Sequence, residues 1–195
     1  MPWTETAAPA ALAINLDELK NHLRLTSNDE DGLLAVYAKA AVQLFEAKTR
    51  RRLVSRPCRW EQPDFPAARD GLGIELPVAP VSAVAAVQYY ATDGTLTTWS
   101  PGDYYLDTVS LLPRVTLAPN KTYPTVQTDR PNGVQVTFTA GYGASYAAVP
   151  EGVQWAVLLL AAHMFSNRLP VAAGSTADVP KTLQYAVDAY KIWGA

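Results

Sequence analysis

Apolar residues recur every third or fourth position near both ends of this 195-residue chain and every second position through its middle. That switch of period, helical to extended and back, limits the fold more than any single motif does. Near the start, Asn15 precedes "LDELKNHLRL" with Glu18 three residues on, and Leu16, Leu19 and Leu23 fall on one face. The spacing predicts a short capped helix. In "TSNDEDGLLAVYAKAAVQLFEAKT", Ser27 and Glu30 stand at capping-box spacing, and Asp29, Glu30 and Asp31 put negative charge in the first turn, where the helix dipole favours it. Leu33, Leu34, Tyr37, Ala40, Ala41, Leu44, Phe45 and Lys48 then follow the helical rule for roughly five turns, with only the stem of Lys48 expected to be buried.

From Leu53 the chain breaks into short runs rich in Val, Thr, Tyr and Trp, separated by Pro, Gly and Asp. These runs predict strands near 53–62, 73–76, 82–91, 95–99, 103–108, 111–117 and 133–140. Asp93-Gly94 lies between two of them and predicts a hairpin, and Asn132-Gly133 predicts a second turn before the last strand. The helical period returns after Pro150, with Trp155, Leu158, Leu159, Ala162 and Phe165 on the buried side. This helix is apolar almost all round, so it should be deeply buried or shared with a neighbour. "VAAGSTADV" reads as a mobile linker of small residues, and Pro180 opens a last helix, "KTLQYAVDAYKIW". The fold class expected is α+β: one domain, 1–195, with a helical core of two N-terminal and two C-terminal helices (15–52 and 150–195) and a central antiparallel β-rich insertion (53–141).

Composition narrows the function. Sixteen Lys and Arg against eighteen Asp and Glu give a formal charge of −2, which argues against a general polyanion binder. One cysteine, Cys58, and two histidines, His22 and His163, supply no recognisable metal motif. The N-terminus lacks the pattern of a signal or transit peptide, and the longest apolar run, Val153 to Phe165, is too short to span a bilayer. "AGYGASY", Ala140 to Tyr146, has two glycines of a dinucleotide loop, but Tyr146 replaces the third and Pro150 delays the helix. It reads as a strand-to-helix turn. His163 reads as a core or interface histidine, and no spacing pairs Glu75, Asp103, Asp107 or Asp129 for acid-base work. No catalytic, cofactor-binding or metal residue is therefore expected, and no enzyme activity. Trp3 and Trp193 are indoles in terminal segments, where docking onto another chain or folding back are the two readings.

Taken in order, "LDELKNHLRL", the acidic "NDEDGLL", the "TRRRL" helix end, the β-rich middle, "VQVTFTAGYG" with "VPEGVQWAVLLLAAHMFSNR", and "YAVDAYKIW" resemble the head-to-tail connector, or adaptor, proteins of long-tailed bacteriophages and phage-like gene transfer agents. The resemblance spans nearly the whole chain. It implies a non-enzymatic virion protein, made in the host cytoplasm and located in the neck at the capsid-tail junction. Such proteins form a ring, commonly twelve-fold, below the portal and continue the DNA channel. Its partners would be copies of itself, the portal protein, a stopper or tail-completion protein, and passing DNA without sequence-specific contact, with no membrane. The C-terminal segment, Val179 to Trp193, would be the portal contact, repositioned by the linker. A stopper or tail-completion protein is the nearest alternative, and a small hydrolase or nucleotide-binding enzyme using "GYGASY" a more distant one.

The run Arg50, Arg51, Arg52 is the remaining signal. Relatives often have glycine where Arg50 stands, so either the helix runs further or Arg50 adopts the left-handed conformation at about 1 kcal/mol. In a continuing helix the three would fan round by about 100° each and make no phosphate clamp. They are expected to serve subunit or portal contacts together with Trp3, Tyr185, Tyr190 and Trp193. On that reading, Arg51→Glu or Arg52→Glu impairs assembly more than monomer stability.

Overall fold

The computed structural model describes residues 3–66, 73–167 and 181–193. The chain divides into two compact units, each built from two separated stretches. One comprises the described residues of Met1–Pro9 and Ser55–Tyr142, the other those of Ala10–Val54 and Gly143–Trp193. The first is β-rich and the second helical, so the fold is α+β, with four helices and antiparallel sheets. "VAAGSTADV" and Pro180 lie outside the described residues.

The β unit holds eight strands: β1 (Thr4–Glu5), β2 (Arg56–Gln62), β3 (Ile74–Glu75), β4 (Val81–Tyr90), β5 (Leu96–Thr98), β6 (Tyr104–Asp107), β7 (Arg114–Leu117) and β8 (Val134–Ala140). Five form an antiparallel sheet in the order β1, β2, β8, β4, β5, and three form a second in the order β3, β7, β6. β8 is central, pairing Arg56 with Ala140 on one side and Val87 with Val136 on the other. Its alternating Val134, Val136 and Phe138 are fully buried, as period two requires of a face turned to the core. Around them close Val87, Val115 and Ile74, with Phe65 stacked on Tyr123 at 5.0 Å and edge-on to Trp99 at 5.1 Å.

Most strands fall where the periodicity predicts them. The Asp93-Gly94 hairpin forms, with Gly94 at φ 83° and the Asp93 carboxylate accepting from the Thr95 amide and hydroxyl at 2.9 and 2.7 Å. Gly133 is required for another reason: a Cβ there would lie 2.1 Å from the Pro63 carbonyl oxygen. Two differences stand out. β1 has no counterpart in the sequence reading, since two residues carry no period. The strand expected from 53 begins at Arg56, because the Leu53 amide donates to the Glu46 carboxylate at 2.9 Å and stays in the helical unit.

The helical unit contains α1 (Leu16–Leu23), α2 (Asp31–Thr49), α3 (Glu151–Ser166) and α4 (Lys181–Asp188). Asn15 caps α1 as expected, its side-chain oxygen accepting from the Asp17 amide at 2.9 Å. The capping box at Ser27 does not form. The Ser27 hydroxyl donates to Asp29 at 2.5 Å and accepts the Asp29 amide at 3.1 Å, which makes a local turn, and α2 starts only at Asp31. Lys20 holds that start from α1, 2.7 Å from the Asp31 carboxylate. α2 and α3 pack along their apolar sides, with Tyr37 edge-on to Phe165 at 5.9 Å. α4 is shorter than its periodicity suggests, ending at Asp188.

The turn into α3 is tied to α1. The Tyr146 hydroxyl donates to the Glu18 carboxylate, and burial, then that bond and the charge of Glu18, push the phenol up to about 12. The folded form thus holds this proton more tightly than the unfolded chain, whose tyrosine titrates near 10. The stabilisation is complete below pH 10 and is lost as pH rises toward 12. Urea midpoints measured from pH 9 to 12 are expected to fall more steeply for the native chain than for Tyr146→Phe; equal slopes would contradict the assignment.

Candidate assembly surface

α3 carries the helical unit's central contradiction. Val153, Ala156, Val157, Leu160 and Ala161 are buried, yet the opposite side is also apolar: Leu158 and Leu159 are half-buried and Trp155 is 55% exposed. A helix apolar on all sides is normally covered on all sides. α2 repeats the pattern more weakly, with Leu33 at 39% and Val36 at 61% exposure on the face turned from its core.

The three arginines are not a helical fan. α2 ends at Thr49, and Arg50 is its C-cap in the left-handed region, φ 57° and ψ 22°. Of the two helix ends open from sequence, the strained arginine is the one adopted. α1 ends the same way, on Arg24 at φ 58°. Past the cap the side chains part. Arg51 turns to the C-terminal segment, its Nε donating to the Tyr190 carbonyl at 2.7 Å. Arg52 is 6% exposed, 3.6 Å from the Glu46 carboxylate. The expectation that Arg52→Glu would spare monomer stability is therefore corrected: it would set two buried carboxylates against each other.

That C-terminal segment lies on its own helical unit. Leu183 and Val187 of α4 are buried, and beyond the helix the Ile192 amide donates to the Thr49 carbonyl at 3.2 Å, with Ile192 buried. Tyr190 leans on Phe45 at 6.3 Å, and its hydroxyl occupies the space where a Cβ at Gly152 would be. Tyr185 and Trp193 point outward, 69% and 67% exposed, with the Lys191 ammonium 4.0 Å above the Trp193 ring. In the β unit, Trp3 folds back, half-buried against the core. Of the seven residues proposed from sequence, Tyr185 and Trp193 are largely exposed and Arg50 half-buried, whereas Arg51, Arg52, Tyr190 and Trp3 engage their own unit.

Arg51→Ala removes one charge-assisted bond of about 1.5 kcal/mol from the segment's anchorage. Amide exchange across 181–193 is expected to accelerate about 10-fold, since 1.4 kcal/mol is a factor of ten, while α1 is unchanged. Unchanged exchange would assign the anchorage to Tyr190 and Ile192 alone.

The residues weighed for chemistry hold structural positions. Glu75 pairs with Arg114 at 3.2 Å and Asp103 with Lys121 at 2.7 Å. The Asp107 carboxylate accepts from the Val109 and Ser110 amides, and the Ser110 hydroxyl and these amides hold it below the usual range. In "AGYGASY", a Cβ on Gly143 would lie 2.3 Å from that of Ala148, so the turn is closed by its own chain instead of open to a phosphate. Among the described residues no group of three or more His, Cys, Asp or Glu is placed to hold a metal, and no helix is long and apolar enough to cross a membrane.

Residues 13–94 match the family model of the phage gp6-like head-tail connector protein. Three solved structures align over the whole chain and 97% of theirs. One is described as the neck of an empty GTA particle computed with C6 symmetry, at TM-score 0.80 and 29% identity. The others are the virion of a native gene transfer agent particle, at 0.74 and 27%, and the neck of a native GTA particle computed with C12 symmetry, at 0.74 and 26%. No curated protein matches. The resemblance drawn from the ordered motifs is borne out by these matches.

Proposed function

We infer from its match to the gp6-like head-tail connector family model over residues 13–94 and its likeness to GTA neck structures that this chain is a structural protein of the virion neck. It assembles as a ring, twelve-fold by analogy with the C12 neck of its relative, below the portal, and continues the DNA channel toward the tail. The observation that carries the reading is α3: a helix apolar almost all round, with Trp155 standing out of it, is half of an interface. The charge supports a conduit, since a chain at −2 does not retain DNA by releasing counterions along a basic lining. Tyr185 and Trp193, outward on a C-terminal segment that is itself anchored, are the surface proposed for the portal, and a stopper or tail-completion protein would dock on the opposite rim. The function resides in surfaces and involves no enzymatic step.

A symmetric electron-microscopy map of assembled necks containing this chain tests the reading. Closed rings between portal and tail are expected. Particles that package DNA and join tails normally when the gene is deleted would refute it.

A further inference from the structure

A closed ring needs two different surfaces per copy, one to give and one to receive, placed so that rotation alone superposes them. The helical unit carries such a pair. The receiving surface is an open cleft of about 430 Å³ on the outer side of α3. Leu159 and Ala162 of α3, Leu23 of α1 and Leu183 of α4 supply its apolar lining, His22 and Arg24 its α1 rim, and the polar His163, Ser166, Asn167 and Thr182 line the rest. Trp155 lies one turn from Leu159 on the same face of α3 and extends the apolar lining. The giving surface is the outer face of α2, where Leu33, Val36, Ala40 and Ala47 recur at helical spacing. It is preceded by exposed Asp29.

We propose that the Leu33–Val36 ridge of one copy seats in the α3 cleft of the next, with Asp29 meeting Arg24, and that this contact closes the ring. Three observations select a second copy as the occupant. Ridge and cleft match in charge and in their apolar parts: a stripe led by a carboxylate meets a cleft of mixed lining whose apolar side chains are Leu23, Leu159, Ala162 and Leu183, and whose Arg24 pairs with no acid among the described residues. They lie at the same end of the α2–α3 pair, because Tyr37 near the start of α2 touches Phe165 at the end of α3. Contacts at one level close by rotation, whereas contacts at different levels climb into a filament. Finally, α2 and α3 bury their facing sides against each other, so the two surfaces point away from one another, as the left and right flanks of a ring subunit must.

The proposal rests on the neck reading above, and the experiment separates the two. Arg24→Glu, Asp29→Arg and Val36→Asp change exposed side chains; Asp29→Arg also gives up the Ser27 bond, so each melting temperature is measured alongside and is expected to stay within about 4 °C of the native one. Each alone is expected to lower incorporation into neck rings at least ten-fold. An equal mixture of Arg24→Glu and Asp29→Arg chains should restore it, because alternation puts an acid opposite a base at every contact. Rings that assemble normally with Val36→Asp, or a mixture that fails like its components, overturn this contact and leave the ring standing. Two-fold dimers cross-linked through Val36→Cys on both copies also overturn it, since they would mean that the ridge meets itself. Native chains absent from any ring overturn both readings.

Discussion

Glu46→Ala is expected to lower the stability of the chain by about 3 kcal/mol or more, the range for removing one partner of a buried ion pair. Glu46 is 5% exposed on α2. One carboxylate oxygen accepts the Leu53 amide at 2.9 Å and the other faces Arg52 at 3.6 Å, so the side chain both satisfies the backbone past the helix end and neutralises a buried guanidinium. Alanine leaves the amide and the charge together without this carboxylate. For a chain of this length the melting temperature should fall by roughly 6–12 °C. Because Arg52→Ala also removes the charge, the double variant should be less destabilised than the sum of the singles, with a coupling above about 1 kcal/mol. Additive effects in calorimetry would mean that the two side chains act separately.

Phe138→Ala is expected to cost about 3–5 kcal/mol in the β unit. Phe138 is fully buried on the central strand, opposite Cys58 on β2 and Val84 on β4, so the cavity opens between two strand pairs that neither neighbour is free to close. The near-ultraviolet signal of Trp99, in the same core, should be lost at lower denaturant than in the native chain. A midpoint unchanged within error would mean that the sheet relaxes around the cavity to an unusual degree.

How much of this was legible follows from the range of each interaction. Asn15 caps a helix two and three residues away, and Asp93-Gly94 makes its own hairpin, so both are readable in a short window. Ser27 had the right spacing and failed, because Asp29 offered its hydroxyl a nearer partner than Glu30 did. The arginines were the hardest. Arg51 is fixed by a carbonyl at Tyr190, far along the chain, and Arg52 by Glu46, and neither pairing leaves a trace in the local pattern. Arg50 ends α2 where the usual rule looks for glycine, so that rule pointed to the position and not to the residue, and Arg24 ends α1 in the same conformation. For the assembly surface, the all-round apolarity of α3 was visible in sequence. Which side stays uncovered depends on where α1 and α4 lie, which only the fold decides.

The pairing of Arg56 with Ala140 bears on how the chain finds its fold. Those residues are the first of β2 and the last of β8, so once the sheet has formed, the two ends of the intervening chain are held one strand apart. α2 and α3 belong to one helical unit but are separated by that whole stretch. Joining them directly would require closing a very long loop, at an entropic cost that grows as the logarithm of its length. With the sheet formed first, only the few residues on either side of it remain to be ordered, and the parallel bridge between Val54 and Gly143 records where they meet. The inserted strands thus act as an internal clasp: they turn a helical unit split in sequence into one that is nearly continuous in space.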